Sequence, residues 1–255
     1  MTDVNRQVRA TSFGAAADDY ARYRPAPPAE AAVWAVGRSP GLVIDLAAGT
    51  GNLAGHLLPV ADPVVAVDID RRMLAALGNR LPRVSRVVAR GEELPFAAGA
   101  AGAVVISSAW HWLDAERAWP EIARVIRPGG VFAIMWSGPD RTVPWVDEVL
   151  RLRQGDQASS GVDSPPAGRR WQVEPPAGTP FSLIEGRTFT SGLPYAVADL
   201  PGLAASYSRV IILPGPERRA IQEEVAARAA ARPELAHLTM VDLPLRCRVW
   251  RAVRT

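Results

Sequence analysis

Residues 43–53 read Val-Ile-Asp-Leu-Ala-Ala-Gly-Thr-Gly-Asn-Leu, and no other stretch constrains the fold of this chain as tightly. A short apolar run closes on an acid, passes through small residues and enters an amphipathic segment. That order predicts a buried strand, a tight turn and a helix start. Gly49 and Gly51 permit backbone conformations that side chains disfavour, and the amides of such a turn can meet a polar ligand. Val64-Val65-Ala66-Val67-Asp68-Ile69-Asp70 repeats the pattern of strand and then acid. In a βαβ nucleotide fold, an acid at the tip of the second strand takes the two hydroxyls of a ribose. Together the two segments predict a nucleoside-containing cofactor.

Asp45 narrows the choice of cofactor. The pattern Gly49-x-Gly51-x-x-Ala54 satisfies a loose dinucleotide motif, so an NAD(P)-dependent oxidoreductase is one reading. Such a site lays a pyrophosphate over the turn, where a carboxylate repels it. A cofactor with an amino-acid end offers an ammonium, which a nearby carboxylate can hold. S-adenosyl-L-methionine (SAM) has that end and no phosphate.

Four motifs, in order and spacing, resemble those of the class I SAM-dependent methyltransferases: Asp45 to Gly51, the acid Asp68, Gly91-Glu92-Glu93-Leu94-Pro95-Phe96, and Arg127-Pro128-Gly129-Gly130. Phe13-Gly14, Tyr20-Ala-Arg-Tyr23-Arg24-Pro25 and Ala109-Trp110-His111-Trp112-Leu113-Asp114 are similar to a small-molecule subgroup that includes trans-aconitate methyltransferase-like and type 11 methyltransferases. The resemblance runs from about Phe13 to the C-terminus. It implies a Rossmann-like α/β fold with a seven-stranded, mostly parallel sheet, helices on both faces and an antiparallel C-terminal strand pair. It also implies SAM as cofactor and a small-molecule acceptor. A protein of this fold that binds SAM without transferring methyl is a further alternative.

Carried onto this chain, the resemblance assigns Gly49 and Gly51 to the methionyl end of SAM and Asp45 to its ammonium. Asp68 takes the ribose hydroxyls and Ile69 the adenine face. Glu92 is assigned to the adenine amino group, the Gly91 backbone to the ring nitrogens, and Ser107 to the methionine region. The family often has Gly where this chain has Ala47, a methyl group that is tolerable at negative φ. In the subgroup the N-terminal segment folds over the cofactor, which would place Arg24 at the methionine carboxylate and Tyr20 as a cap. A surface helix with an aromatic foot in the core is the plainer reading of that segment. His111 follows the fourth strand at the carboxyl edge, where open α/β sheets bind ligands. It orients the acceptor or acts as general base, with Asp114 to orient or charge it, or it is a structural tie.

Composition agrees with a soluble enzyme, expected in the cytoplasm. The 255 residues are 48% hydrophobic, yet the longest apolar runs fall short of a membrane span, and no charged-then-apolar leader is apparent. One cysteine, Cys247, and three histidines argue against a disulfide or a structural zinc site, so no metal is expected. All 29 basic residues are arginine, but 26 acids leave a net charge of only +3. Without an Arg tract interleaved with aromatics, nucleic acid is not the expected partner.

Periodicity predicts strands over 42–46, 63–68, 84–89, 102–107 and 130–137, alternating with helices over 51–59, 70–80 and 114–126. Asp70 is a natural helix N-cap. Short helices are expected over 12–23 and 27–36, so that residues 1–38 form an N-terminal helical cap and 39–255 the cofactor-binding domain. Further on, a helix near 145–152, half-buried strands over 182–190 and 241–253 and a helix over 216–232 are expected. Residues 154–180, dense in Gly, Pro and Ser, read as a flexible loop or lid.

Overall fold

Apolar runs build the sheet. Val43–Leu46 forms β1, Val64–Asp68 β2, Ser85–Val88 β3, Ala101–Ser107 β4 and Ile126–Pro139 β5. Glu185–Ala196 and Met240–Val253 form β6 and β7. The computed structural model describes residue 14 and residues 17–37, 41–152, 173–182 and 184–255. The seven strands lie in the order β3-β2-β1-β4-β5-β7-β6. Strands β1 to β5 are mutually parallel, and β7 runs antiparallel to both β5 and β6. After β1 the chain moves outward through β2 and β3, then returns to β4 on the other side. That reversal opens a crevice at the carboxyl ends of β1 and β4.

The central strands are covered on both faces, as near-continuous apolar runs require. Val43, Ala103, Val105 and Ala133 face one layer, formed by α2 (Ala29–Val36), α3 (Ala54–Leu57) and α4 (Arg71–Arg80). Ile44, Val104, Ile106 and Ile134 face the other, formed by α5 (Ala115–Val125). There Trp119 meets Phe132 edge to face at 4.9 Å, and Trp110 and Phe181 complete the aromatic cluster. The Asp70 side chain caps α4 by accepting from the Arg72 amide at 2.9 Å. Asp114 caps α5 by accepting from the Glu116 amide at 3.2 Å.

A third apolar cluster lies over the β6–β7 end of the sheet. It joins α6 (Pro144–Leu150), α7 (Leu200–Ala205), α8 (Ser208–Ile211) and α9 (Gly215–Ala230). The N-terminal helix α1 (Ala17–Tyr23) packs on α7, where Gly202 leaves room for the Tyr23 ring.

The elements depart from expectation at four places. The helix after the glycine turn is shorter than 51–59, because Gly51, Gly55 and Pro59 all oppose helix continuation. Strand β6 runs past the expected end at 190 to Ala196, through Gly192 and Pro194; on an edge strand proline forfeits no ladder bond. Strand β5 begins at Ile126, and residues 127–130 loop out before the main run, since Ala101 pairs with Ile126 and Ala103 with Val131. Helices α7 and α8 were not expected at all. Of the supposed 154–180 lid, residues 154–172 lie outside the described residues, as do residues 1–13, whereas Val173 is buried in the α5-side core.

Candidate active site

The turn after β1 is tightened from several directions. Gly49 and Gly51 adopt φ of +55° and +83°. A Cβ on Gly51 would stand 2.7 Å from Leu77 Cγ, so this glycine also lets α4 press against the turn. Arg80 donates to the Thr50 carbonyl at 3.1 Å and to Asn52 Oδ1 at 3.0 Å. Ala47 corrects an expectation: its φ is +54°, not negative. The turn requires the left-handed conformation there, and an alanine accepts the strain because its neighbours hold it, Ala48 donating to the Val67 carbonyl at 3.0 Å.

Two acids lie under this turn. Asp68 Oδ2 accepts from the Gly49 amide and Oδ1 from the Asp70 amide, both at 2.8 Å. It therefore locks the two strand tips together, while each oxygen retains a lone pair for another donor. Asp45 is 1% exposed, and its Oδ2 has no hydrogen-bond partner among the described residues. Burial, with the negative charge of Asp68 adding to it, pushes the Asp45 carboxyl up to about 8, against an opposing pull from the Ala54 amide. Burial likewise raises Asp68, against the backbone amides that favour its charged form. A cation set among these carboxylates would restore their charge.

The segment after β3 is braced by protein. Glu92 Oε1 accepts from the Asp114 amide at 2.8 Å, and its Oε2 lies 3.7 Å from Arg90. Gly91 carries Leu113 so closely that a Cβ would lie 2.5 Å from Leu113 Cδ2. Glu121 accepts from the Leu94 amide at 2.6 Å, and Arg124 donates to the Leu94 and Phe96 carbonyls at 3.0 and 2.8 Å. Much of the Gly-Glu-Glu-Leu-Pro-Phe motif thus fastens this loop to α5. His111 lies in a short 3₁₀ turn, Trp110–Trp112, just beyond β4, its ring 4.5 Å from Trp112. Trp110 is core. The Asp114 carboxylate caps α5 through its Oδ1. Ser107 pairs with Met135 at the end of β4, and half-buried Ile69 follows Asp68 at the end of β2.

The N-terminal segment crosses this edge. Asn52, inside the turn, donates to the Arg24 carbonyl at 3.1 Å. The Tyr195 hydroxyl donates to the Tyr23 carbonyl at 2.8 Å. The Arg24 guanidinium sits 5.5 Å from the Tyr20 ring and 4.8 Å from the Tyr207 ring. Asp45, Ala47, Gly49, Gly51 and Asp68 thus form one cluster, with Tyr20 and Arg24 linked to it through Asn52. Gly91 and Glu92 join the His111 loop instead.

The methyltransferase domain family matches residues 44–134, the span that carries the turn, Asp68 and the His111 loop. An uncharacterized methyltransferase of Mycobacterium tuberculosis is 34% identical over 245 residues, covering 94% of each chain. The chain belongs to the class I SAM-dependent methyltransferases. Its structure is similar to that of a putative type II methyltransferase from Anaeromyxobacter dehalogenans, with a TM-score of 0.69 and 26% identity, covering 91% of this chain and 98% of the other. It shares the fold, at a TM-score of 0.50 and 15% identity, with a geranyl diphosphate C-methyltransferase from Streptomyces coelicolor A3(2), over 89% of this chain and 76% of that one.

Two groups in this methyltransferase escaped the sequence reading. Asn52 and Arg80, which brace the turn, were within reach, since Asn52 stands in the motif itself. Tyr207 was not, because it belongs to the unexpected 197–211 insertion. No helix among the described residues is long and apolar enough to cross a membrane.

Proposed function

We propose that the methyltransferase acts on a small-molecule acceptor, with Asp45, Asp68 and the glycine turn holding SAM and His111 serving the acceptor. The observation that carries the cofactor side is Asp45, a buried carboxylate with an unpartnered oxygen beneath a turn of left-handed residues. An ammonium relieves that arrangement, whereas a pyrophosphate would add negative charge beside two carboxylates. SAM supplies a methyl group already activated by its sulfonium.

The remaining assignments rest on position. Asp68 offers its free lone pairs to ribose hydroxyls and Ile69 its side chain to adenine. Ser107, Ala47, Gly49 and Gly51 border the methionyl end. Arg24 pairs with the methionine carboxylate, and Tyr20 covers it. Glu92, held by the Asp114 amide, takes the adenine amino group with a remaining lone pair, and the Gly91 backbone meets the ring nitrogens. The segment around Tyr20 and Arg24 is the lid over SAM.

What the protein must supply is alignment of the acceptor with the departing sulfur, and such orientation is worth about 7–11 kcal/mol. A general base is required only if the acceptor holds its proton well above the working pH. Calorimetry with SAM and NAD, followed by mass spectrometry of S-adenosylhomocysteine released with a metabolite extract, tests this reading. His111→Ala should depress release while SAM affinity stays near wild type. Equal losses of SAM affinity and apo stability would make His111 a structural tie, and SAM binding without release from any acceptor would leave a non-transferring protein.

A further inference from the structure

Among the described residues, only two that are not glycine hold a left-handed backbone, Ala47 and Ser108, with φ of +54° and +56°. They stand side by side in the fold. Leu46 of β1 pairs with Ile106 of β4, so the chain passes Ala47 at the level of Ser107, one residue short of Ser108. Beyond its last paired residue each strand leans outward. The Ala48 amide donates to the Val67 carbonyl of β2, and the Ser108 amide to the Met135 carbonyl of β5, at 3.0 and 2.8 Å. The two central strands are thus turned in opposite directions, and the crevice opens between them.

Ala47 belongs to the cofactor turn. Ser108 stands three residues before His111 and shapes the other wall. Its amide is pinned to β5, and its hydroxyl accepts from the Ser137 amide at 3.5 Å. Two residues on, Trp110 is buried edge to face against Trp119 at 5.5 Å. Only Ala109 lies between these anchors, and its carbonyl accepts from the Trp112 amide at 2.9 Å, closing the 3₁₀ turn that carries His111. An extended Ser108 would continue along β4 and carry that turn away from the crevice. A left-handed conformation is unfavourable at a residue other than glycine, and it persists where the surroundings over-determine it, at sites where geometry serves function.

We propose that Ser108 is a positioning residue for methyl transfer: its left-handed turn, held against β5, sets the His111 ring at the acceptor side of the crevice. It acts through His111 and touches neither SAM nor the acceptor. The proposal rests on the reading that His111 serves the acceptor, and it adds the residue that aims the ring.

The test uses the full chain, saturated with S-adenosylhomocysteine for NMR and supplied with SAM and a metabolite extract for turnover. The chain has three histidines, so the imidazole signals are few, and His111→Ala assigns the one in question. Ser108→Val places a β-branched residue where φ is +56°, and should shift the His111 signal and its titration midpoint while the His56 and His237 signals stay. Turnover should fall about tenfold, the scale of a misplaced group, with S-adenosylhomocysteine affinity within about twofold of wild type. Ser108→Thr keeps the hydroxyl and should act in the same direction to a lesser degree; it replaces the valine variant if that one does not fold. Ser108→Gly, unstrained at this φ, should hold the His111 signal at its wild-type position and recover most of the lost turnover. In a His111→Ala background Ser108→Val should cost no further turnover, because its effect passes through the imidazole. An unmoved His111 signal in both branched variants, an equal loss of turnover with and without His111, or a glycine variant as impaired as the valine one would overturn the positioning role. Full turnover in His111→Ala alone would overturn the His111 reading instead, a separate result from the same set.

Discussion

The glycine turn and the cap over the β6–β7 end stand on the same sheet edge but are built in opposite ways. The turn is held by neighbours close in sequence, through the Asp68 and Arg80 hydrogen bonds to backbone and the Gly51–Leu77 contact. The cap holds the N-terminal segment through partners far away in sequence. Tyr195 reaches Tyr23 across 172 residues, and Arg22 reaches Asp199 across 177. The Arg22–Asp199 pair is 64% and 31% exposed, the kind of ion pair worth about 0–1 kcal/mol. Rigidity is therefore concentrated at the glycine turn, and the looser attachments lie at the cap.

The strongest way to break this contrast is to place the same methyl group on each side. Gly51→Ala combines left-handed strain with overpacking against Leu77, and should cost about 2–5 kcal/mol of stability in denaturant unfolding. Gly202→Ala meets the Tyr23 ring, which can swing away with α1, and should cost less than about 1 kcal/mol while weakening SAM binding. Equal losses of stability would show that the cap is as rigid as the turn.

Asp68→Ala should weaken SAM binding by about 1.5–3 kcal/mol, the range for losing hydrogen bonds to a charged group. The structure adds a second effect: the Gly49 and Asp70 amides lose their acceptor, so apo stability should fall as well. Unaltered SAM affinity by calorimetry would remove Asp68 from the site.

Asp45 sharpens the contrast through pH. Its folded carboxyl titrates near 8, against an ordinary value of 3.8. Between about pH 4 and pH 8 the unfolded chain is ionised there while the folded one keeps its proton, so stability falls as pH rises and levels off above that window. Asp68, also raised, adds in the same sense. Asp45→Asn should flatten this dependence and raise the Tm at pH 8, yet bind SAM less tightly. A slope that survives the substitution would place its source elsewhere.

The smallest effect is expected at Ala47. Ala47→Gly relieves a left-handed alanine and should stabilise by about 0.5–1 kcal/mol, part of the gain being lost to the greater freedom of unfolded glycine. A net loss in thermal unfolding would mean that the alanine methyl packs better than its φ suggests.

Much of the cofactor half was legible because its information is local. An apolar run, an acid, a left-handed turn and a helix cap such as Asp70 are each written within a few residues. Context also carried elements past their expected ends, as in β6, whose edge position tolerates Pro194. Glu92 shows another limit. As an acid in a family motif it reads as a ligand to adenine, but nothing local told that its Oε1 also accepts from the Asp114 amide and that Arg90 lies beside it.

The sequence by itself determined the alternation of strands and helices, the acid-flanked turn and hence the kind of cofactor, because parallel strands and their turns are encoded by burial period and backbone freedom at single positions. Only the tertiary structure decided which distant side chains share the mouth of the site. Arg24 and Tyr207, 4.8 Å apart, belong to segments with no local pattern in common, and α7 and α8 are too short to show a period. They meet because β6 and β7 carry the 197–230 helices back over the edge where the glycine turn opens, a placement that follows from strand order and the packing of apolar faces.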